Sequence, residues 1–133
     1  MDGYGKRILL VSDDPDGRAL LGANLEHEGY AVYMVCDGIA GADEMRKRHF
    51  DAVIADYHMP GINGLEFAEF VKIAWTETPV ILVTEELNDV MENVSQSDMR
   101  ACLRKPYETT MLLSVLCAVT QPVSKGQAAF PMV

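Results

Sequence analysis

The sequence predicts an α/β fold: a doubly wound, five-stranded parallel sheet with helices on both faces. Three observations point there. Short apolar, β-branched runs alternate with longer stretches of helical periodicity. Those runs are continuously apolar rather than alternating, so both faces of each strand are expected to be covered. The 133 residues suit one domain with short connections and no internal repeat, and leave no room for two.

Strands are expected over residues 8–11, 31–35, 52–55 and 80–83, with a weaker one over 101–103. Between the first two, Asp14 is the candidate N-cap of a helix whose first turn tolerates Pro15. This helix should carry Leu20, Leu21 and Leu25 inward and stop at Gly29, a residue suited to a left-handed C-terminal position. Asp37-Gly38 turns the chain into a second helix that ends in Arg46-Lys47-Arg48. That run reads more simply as cations complementing a helix C terminus than as a docking patch. Gly64 opens a third helix with Leu65, Ala68 and Val71 at helical spacing, and Trp75 near its end reads as a packing residue. A fourth helix is expected over 87–94 with a thin apolar stripe. A last one over 108–119 buries Leu112, Leu116 and Val119. The domain is thus placed at 6–120. Residues 121–133 are polar and turn-rich and read as a flexible C-terminal tail or linker stub.

Composition narrows the function classes. About half of the chain is hydrophobic (49%), and the formal net charge is −9, with a pI near 4.6. An acidic chain repels the nucleic-acid backbone, so direct nucleic-acid binding is not expected. Cys36, Cys102 and Cys117 are odd in number and lack CxxC spacing, which suits a reducing cytosol better than a disulfide framework. His27, His49 and His58 do not pair with them at zinc-ligand spacing. No apolar stretch has signal-peptide or membrane-spanning length, so a soluble, cytoplasmic protein is expected, with no membrane contact.

In an open parallel sheet, ligands bind beyond the carboxyl ends of the strands, near the point where strand order reverses. Those ends carry Ser12-Asp13-Asp14, Asp56, Thr84 and Lys105 in turn. Taken singly, each has a bland reading: an Asp after a strand is usually a turn residue or cap, a Thr a cap, a Lys a solvated side chain. Capping does not explain all of them at consecutive strand ends. Clustered carboxylates repel and call for a divalent cation or a cationic side chain. Magnesium suits an oxygen-rich site and phosphate chemistry. With Lys105 neutralising phosphate charge and Thr84 donating a hydrogen bond, such a rim suits phosphoryl transfer to a carboxylate nucleophile.

From residue 6 to 119 the sequence resembles the bacterial response-regulator receiver family. The most specific stretch is Phe50-Asp51-Ala52-Val53-Ile54-Ala55-Asp56, followed by Tyr57-His58-Met59-Pro60-Gly61-Ile62-Asn63-Gly64-Leu65-Glu66. It is similar to the family's strand, phosphoacceptor and Met-Pro-Gly loop. Residues 8–11 with Asp13 and Arg18, Gly29-Tyr30-Ala31-Val32, Asp37-Gly38, Val83-Thr84 and Lys105-Pro106 match the remaining segments. The resemblance implies a flavodoxin-like fold with strand order 2-1-3-4-5 and a cis Lys105-Pro106 peptide. It implies that Asp56 takes a phosphoryl group from a sensor histidine kinase or phosphotransfer protein. Asp13, Asp56 and the backbone carbonyl of His58 would hold Mg2+, with Ser12 or Asp14 as further contacts through water. Thr84 and Lys105 would engage the phosphoryl group, and the change would be read on the protein-interaction surface. The chain would act as a monomer or weak dimer and not as an enzyme.

The sequence also departs from the family pattern. Ser12 stands where the family usually has the first of two adjacent acids. Glu85 stands where a small residue is usual, and Cys102 holds the position of the switch aromatic. These departures motivate the alternative of an unphosphorylated protein-interaction domain. A small flavodoxin-like enzyme is disfavoured. The loop after the first strand lacks a phosphate cradle, and Asp13 is followed by Asp14-Pro15 rather than by a second Asp two residues on.

Overall fold

A computed structural model of the chain describes residues 5–85 and 101–120. The helix expected over 87–94 and the tail from 121 lie outside the described residues. Among the described residues, five strands and four helices follow in chain order: β1 Arg7–Val11, α1 Pro15–His27, β2 Ala31–Val35, α2 Gly38–Lys47, β3 Ala52–Asp56, α3 Gly64–Ala74, β4 Val80–Thr84, β5 Ala101–Arg104 and α4 Thr109–Thr120. The strands form one parallel sheet in the order β2-β1-β3-β4-β5, as the resemblance implies. In register, Val11 faces Ala55 across β1 and β3, Asp56 faces Val83 across β3 and β4, and Thr84 faces Arg104 across β4 and β5.

Because successive strand side chains point to opposite faces, residue parity sorts the core into two layers. Leu9, Val11, Val53, Ala55, Val80, Leu82 and Cys102 lie on one face, against Met45 of α2 and Phe67, Ala68 and Val71 of α3. Ile8, Leu10, Ala52, Ile54, Ile81, Val83, Ala101 and Leu103 lie on the other, against Leu25 of α1 and Leu112, Val115, Leu116 and Val119 of α4. Each buried Leu or Ile contributes roughly 2 kcal/mol. Burial on both faces explains why the three central strands carry no polar alternation.

The helix boundaries follow local chemistry. Gly29 has φ +96°, the left-handed conformation that ends α1. Asp37 caps α2, its Oδ1 accepting from the Ala40 N–H at 2.8 Å. Asn63 and Glu66 form a reciprocal capping box at the start of α3, with bonds of 2.8 and 3.0 Å. Asp14 stands at the N-cap of α1, but its side chain makes no capping bond. The basic run pairs within its own helix: Arg46 with Asp43 at 3.0 Å, and Lys47 and Arg48 with Glu44 at 3.6 and 3.1 Å. Trp75 packs edge-on against Phe70 with ring centroids 5.5 Å apart.

One inward assignment is corrected. Leu20 is 67% exposed, whereas Leu25 is fully buried and Leu21 half-buried. Leu21 and Leu25 are four residues apart and share a stripe, and Leu20 falls one residue, about 100°, off it. The strands also run slightly further than expected: Asp56 and Thr84 are the last residues of β3 and β4 rather than the first residues after them.

Candidate functional site

The strand ends deliver their side chains by the same parity. Ser12 follows Val11, and its N–H still donates to Val35 O at 3.1 Å, so the β1 ladder extends one residue further. Ser12 therefore stands beside Asp56, on the α1/α4 side with Leu10 and Ile54. Its hydroxyl donates to Asp56 Oδ2 at 2.6 Å. Lys105 shares parity with Ala101 and Leu103 and reaches the same side, placing Nζ 2.9 Å from Asp56 Oδ1. The Lys105 N–H donates to Thr84 O at 2.8 Å, fixing the end of β5 against β4. The following Lys105-Pro106 peptide is cis.

Ser12, Asp56, Lys105 and Pro106 line a cavity of about 520 Å³ floored by Leu10, Ile54 and Val83, with Asp14, Arg18 and Tyr107 among its walls. The Arg18 guanidinium donates to the Ser12 carbonyl at 2.6 Å. Burial pushes the Tyr107 phenol above its usual range, and the negative charge of Asp56 pushes it further the same way. Gly64 is needed where α3 starts. A Cβ there would run into the Asp56 carbonyl oxygen and lie 2.6 Å from Leu82 Cδ1. Instead the Gly64 N–H donates to Tyr57 O at 2.7 Å, closing the loop after β3.

Asp56 and Lys105 thus meet directly, and the Asp56 side chain is only 14% exposed. Thr84 is buried at the end of β4. Asp13 is exposed in the turn between β1 and α1, while Asp14 lines the cavity. His58 is exposed, its ring edge-on to Tyr57. Glu85 is also exposed and reaches the cavity mouth. Sequence reasoning placed Ser12 only as a contact to magnesium through water and Arg18 only as part of the matching opening segment, and it did not name Tyr107. The structure makes Ser12 a direct partner of Asp56, has Arg18 hold the Ser12 carbonyl, and sets Tyr107 in the cavity wall. Counting register from Val11 and Ala55 would have found the first. No local signal marks the other two.

Among the described residues, no group of three His, Cys, Asp or Glu side chains is arranged to hold a metal. Magnesium does not require one, because it binds through one or two carboxylates and keeps several waters. Around Asp56 the cavity presents oxygen donors, the carboxylates of Asp56, Asp14 and, at the mouth, Glu85, together with the Ser12 hydroxyl, and among the described residues no thiol or imidazole lines it. This donor set fits a hard divalent cation.

A family model described as the response regulator receiver domain matches residues 8–116, and the chain belongs to that family. Among curated relatives, the sensor histidine kinase RcsC of Escherichia coli (strain K12) is 30% identical over 127 residues, 95% of this chain and 13% of the kinase. The chain therefore spans only a small part of that relative. Among solved structures, the response regulator TrrA of Thermotoga maritima, in complex with Mg2+ and BeF, superposes with a TM-score of 0.80. It is 29% identical, over 86% of this chain and 98% of that one. The receiver domain of a sensor histidine kinase from Pseudomonas aeruginosa, with magnesium coordinated in its active-site cleft, has the same TM-score. There the identity is 28%, over 87% of this chain and 98% of that one. The fold and family are those of receiver domains of two-component systems. Among the described residues, no helix is long and apolar enough to cross a membrane.

Proposed function

We propose that the chain is a phosphoacceptor receiver in which Asp56 takes a phosphoryl group from a phosphohistidine on a sensor kinase or phosphotransfer protein. The observation that carries this reading is the Asp56–Lys105 contact at 2.9 Å, on a carboxylate largely shielded from water at the mouth of an open cavity. A carboxylate there can act as nucleophile, and a fixed ammonium beside it can balance the charge of the incoming group. A bond forms between an Asp56 oxygen and phosphorus as the phosphorus–nitrogen bond breaks. The departing imidazole nitrogen keeps the bonding pair and is protonated by solvent. Asp56 is left as a mixed anhydride, with Lys105 paired to the transferred group and the Thr84 hydroxyl, at the end of β4, turning to hydrogen-bond it as the family resemblance implies.

Magnesium, present in the two neighbouring structures, would be held here by Asp56 together with Asp14 and the Ser12 hydroxyl on the same cavity, with Asp13 and the His58 carbonyl as the further ligands that the family resemblance implies. When bound it would offset charge on the phosphoryl oxygens. The new charge beside Lys105 and Tyr107 would then bias the protein-interaction surface between two arrangements.

The test is incubation with a small acyl phosphate and Mg2+, read by intact mass. Wild type should gain one phosphoryl group and Asp56→Asn none. No adduct at any magnesium concentration would remove the reading and leave a receiver fold used for interaction alone.

A further inference from the structure

We propose that Ser12 is a positioning residue for Asp56, its hydroxyl, together with the Lys105 ammonium, holding the acceptor carboxylate in place without a bound metal ion. This inference rests on reading Asp56 as the phosphoacceptor. Ser12 is itself buried and held at every polar atom. Its N–H donates to Val35 O at 3.1 Å and its carbonyl accepts from Arg18 Nη1 at 2.6 Å. Its hydroxyl oxygen accepts from the Asp14 N–H at 3.3 Å and donates to Asp56 Oδ2 at 2.6 Å.

A hydroxyl has one proton and two lone pairs. With a lone pair turned to the Asp14 N–H, the proton is directed at Oδ2. Lys105 occupies Oδ1, so both carboxylate oxygens have a fixed donor and the group cannot rotate freely. A carboxylate at position 12 would face Asp56 with like charge at hydrogen-bonding range, a pairing tolerable only with a cation between the two. Ser12 removes that requirement by supplying a neutral donor. It therefore orients Asp56 before any metal arrives and contributes no charge toward binding one.

The experiment compares wild type with Ser12→Ala, Ser12→Thr and Ser12→Asp. It uses two readouts: the Asp56 side-chain carboxylate ¹³C resonance in chelator, assigned with Asp56→Asn, and the rate of phosphoryl uptake from a small acyl phosphate at saturating Mg2+. Ser12→Ala should shift the resonance and slow uptake about tenfold, the size expected for a lost hydrogen bond to a charged group. Ser12→Thr should restore both. Ser12→Asp should tighten Mg2+ binding, measured by calorimetry without donor, by about tenfold, because it adds a carboxylate ligand.

The proposal is overturned if Ser12→Ala matches wild type in resonance and rate, or if Ser12→Thr behaves like Ser12→Ala. Equal Mg2+ affinity in Ser12→Asp and wild type also counts against it. If wild type takes up no phosphoryl group while the resonance still separates Ser12→Ala from wild type and Ser12→Thr, positioning stands and the phosphoacceptor reading falls. Should Ser12→Ala fail to fold, Ser12→Cys, a similar side chain that donates only weakly, takes its place.

Discussion

Lys105 Nζ lies 2.9 Å from Asp56 Oδ1, although the two residues leave β5 and β3 with β4 between them. The lysine spans that gap because its backbone N–H is tied to Thr84 O and its parity turns it to the α1/α4 side. Removing the ammonium leaves Asp56 with the Ser12 hydroxyl as its side-chain donor among the described residues. Lys105→Met should lower phosphoryl uptake by on the order of 100-fold, the usual effect of losing one preorganised electrostatic partner. Stopped-flow or mass-resolved uptake at saturating Mg2+ checks this, and uptake within a few-fold of wild type would contradict the role given to Lys105.

Gly64 touches the site from beneath. A methyl group there would meet the Asp56 carbonyl oxygen and Leu82, both in the packed sheet. Gly64→Ala should destabilise the fold by about 1–3 kcal/mol, as overpacking does, and should displace Asp56 so that uptake also slows. Urea unfolding reads the first effect and the acyl-phosphate assay the second. A variant as stable as wild type would mean that the loop after β3 yields more easily than this packing implies.

Tyr107 senses the charge at Asp56. Its phenol is pushed up first by burial and then by that carboxylate. Asp56→Asn removes the second cause, so Tyr107 should deprotonate at lower pH in the variant. Alkaline titration followed at 295 nm, with Tyr107→Phe to identify the transition, measures the change. An unchanged midpoint would show that Asp56 does not act on this ring.

Cys102 predicts a pH dependence. Burial pushes its thiol from 9.0 up to about 11. Between these values the unfolded chain has released the proton and the folded chain still holds it. Unfolding is therefore favoured as pH rises, and stability is full below about pH 9 and lost progressively toward pH 11. The loss attributable to this group is at most about 3 kcal/mol. Cys102→Ala should start lower, because it opens a small cavity, but should fall less steeply between pH 9 and 11. Urea midpoints across that range give the slopes; parallel slopes would contradict the assignment.

Much of this was legible in the chain before any coordinates. Ile54, Ile81 and Leu103 sit in continuous apolar runs because strands buried on both faces have no polar side to show. Gly29 and Asp37 marked helix boundaries through conformations and hydrogen bonds that involve only near neighbours. Asp56 and Lys105 were recognisable because strand ends in a parallel sheet share one rim. Leu20 was misplaced because a helical stripe is set by the surface it meets, and three leucines in one helix do not say which one is off that surface. The Asn63–Glu66 capping box was readable from its spacing and was overlooked in favour of Gly64.

The contacts of Ser12, Arg18 and Tyr107 belong to a different level. Each depends on which strand lies beside which, in what register, and on which face a side chain emerges. Local pattern specifies how strongly a segment prefers an extended or helical form and how much of it seeks burial, and for this chain that was enough to specify the class of fold. A one-residue change in alignment between β1 and β3 would leave those preferences untouched and yet turn the hydroxyl of residue 12 away from the carboxylate of residue 56. Only packing of the whole sheet selects among such alignments, because it alone fills both apolar layers at once.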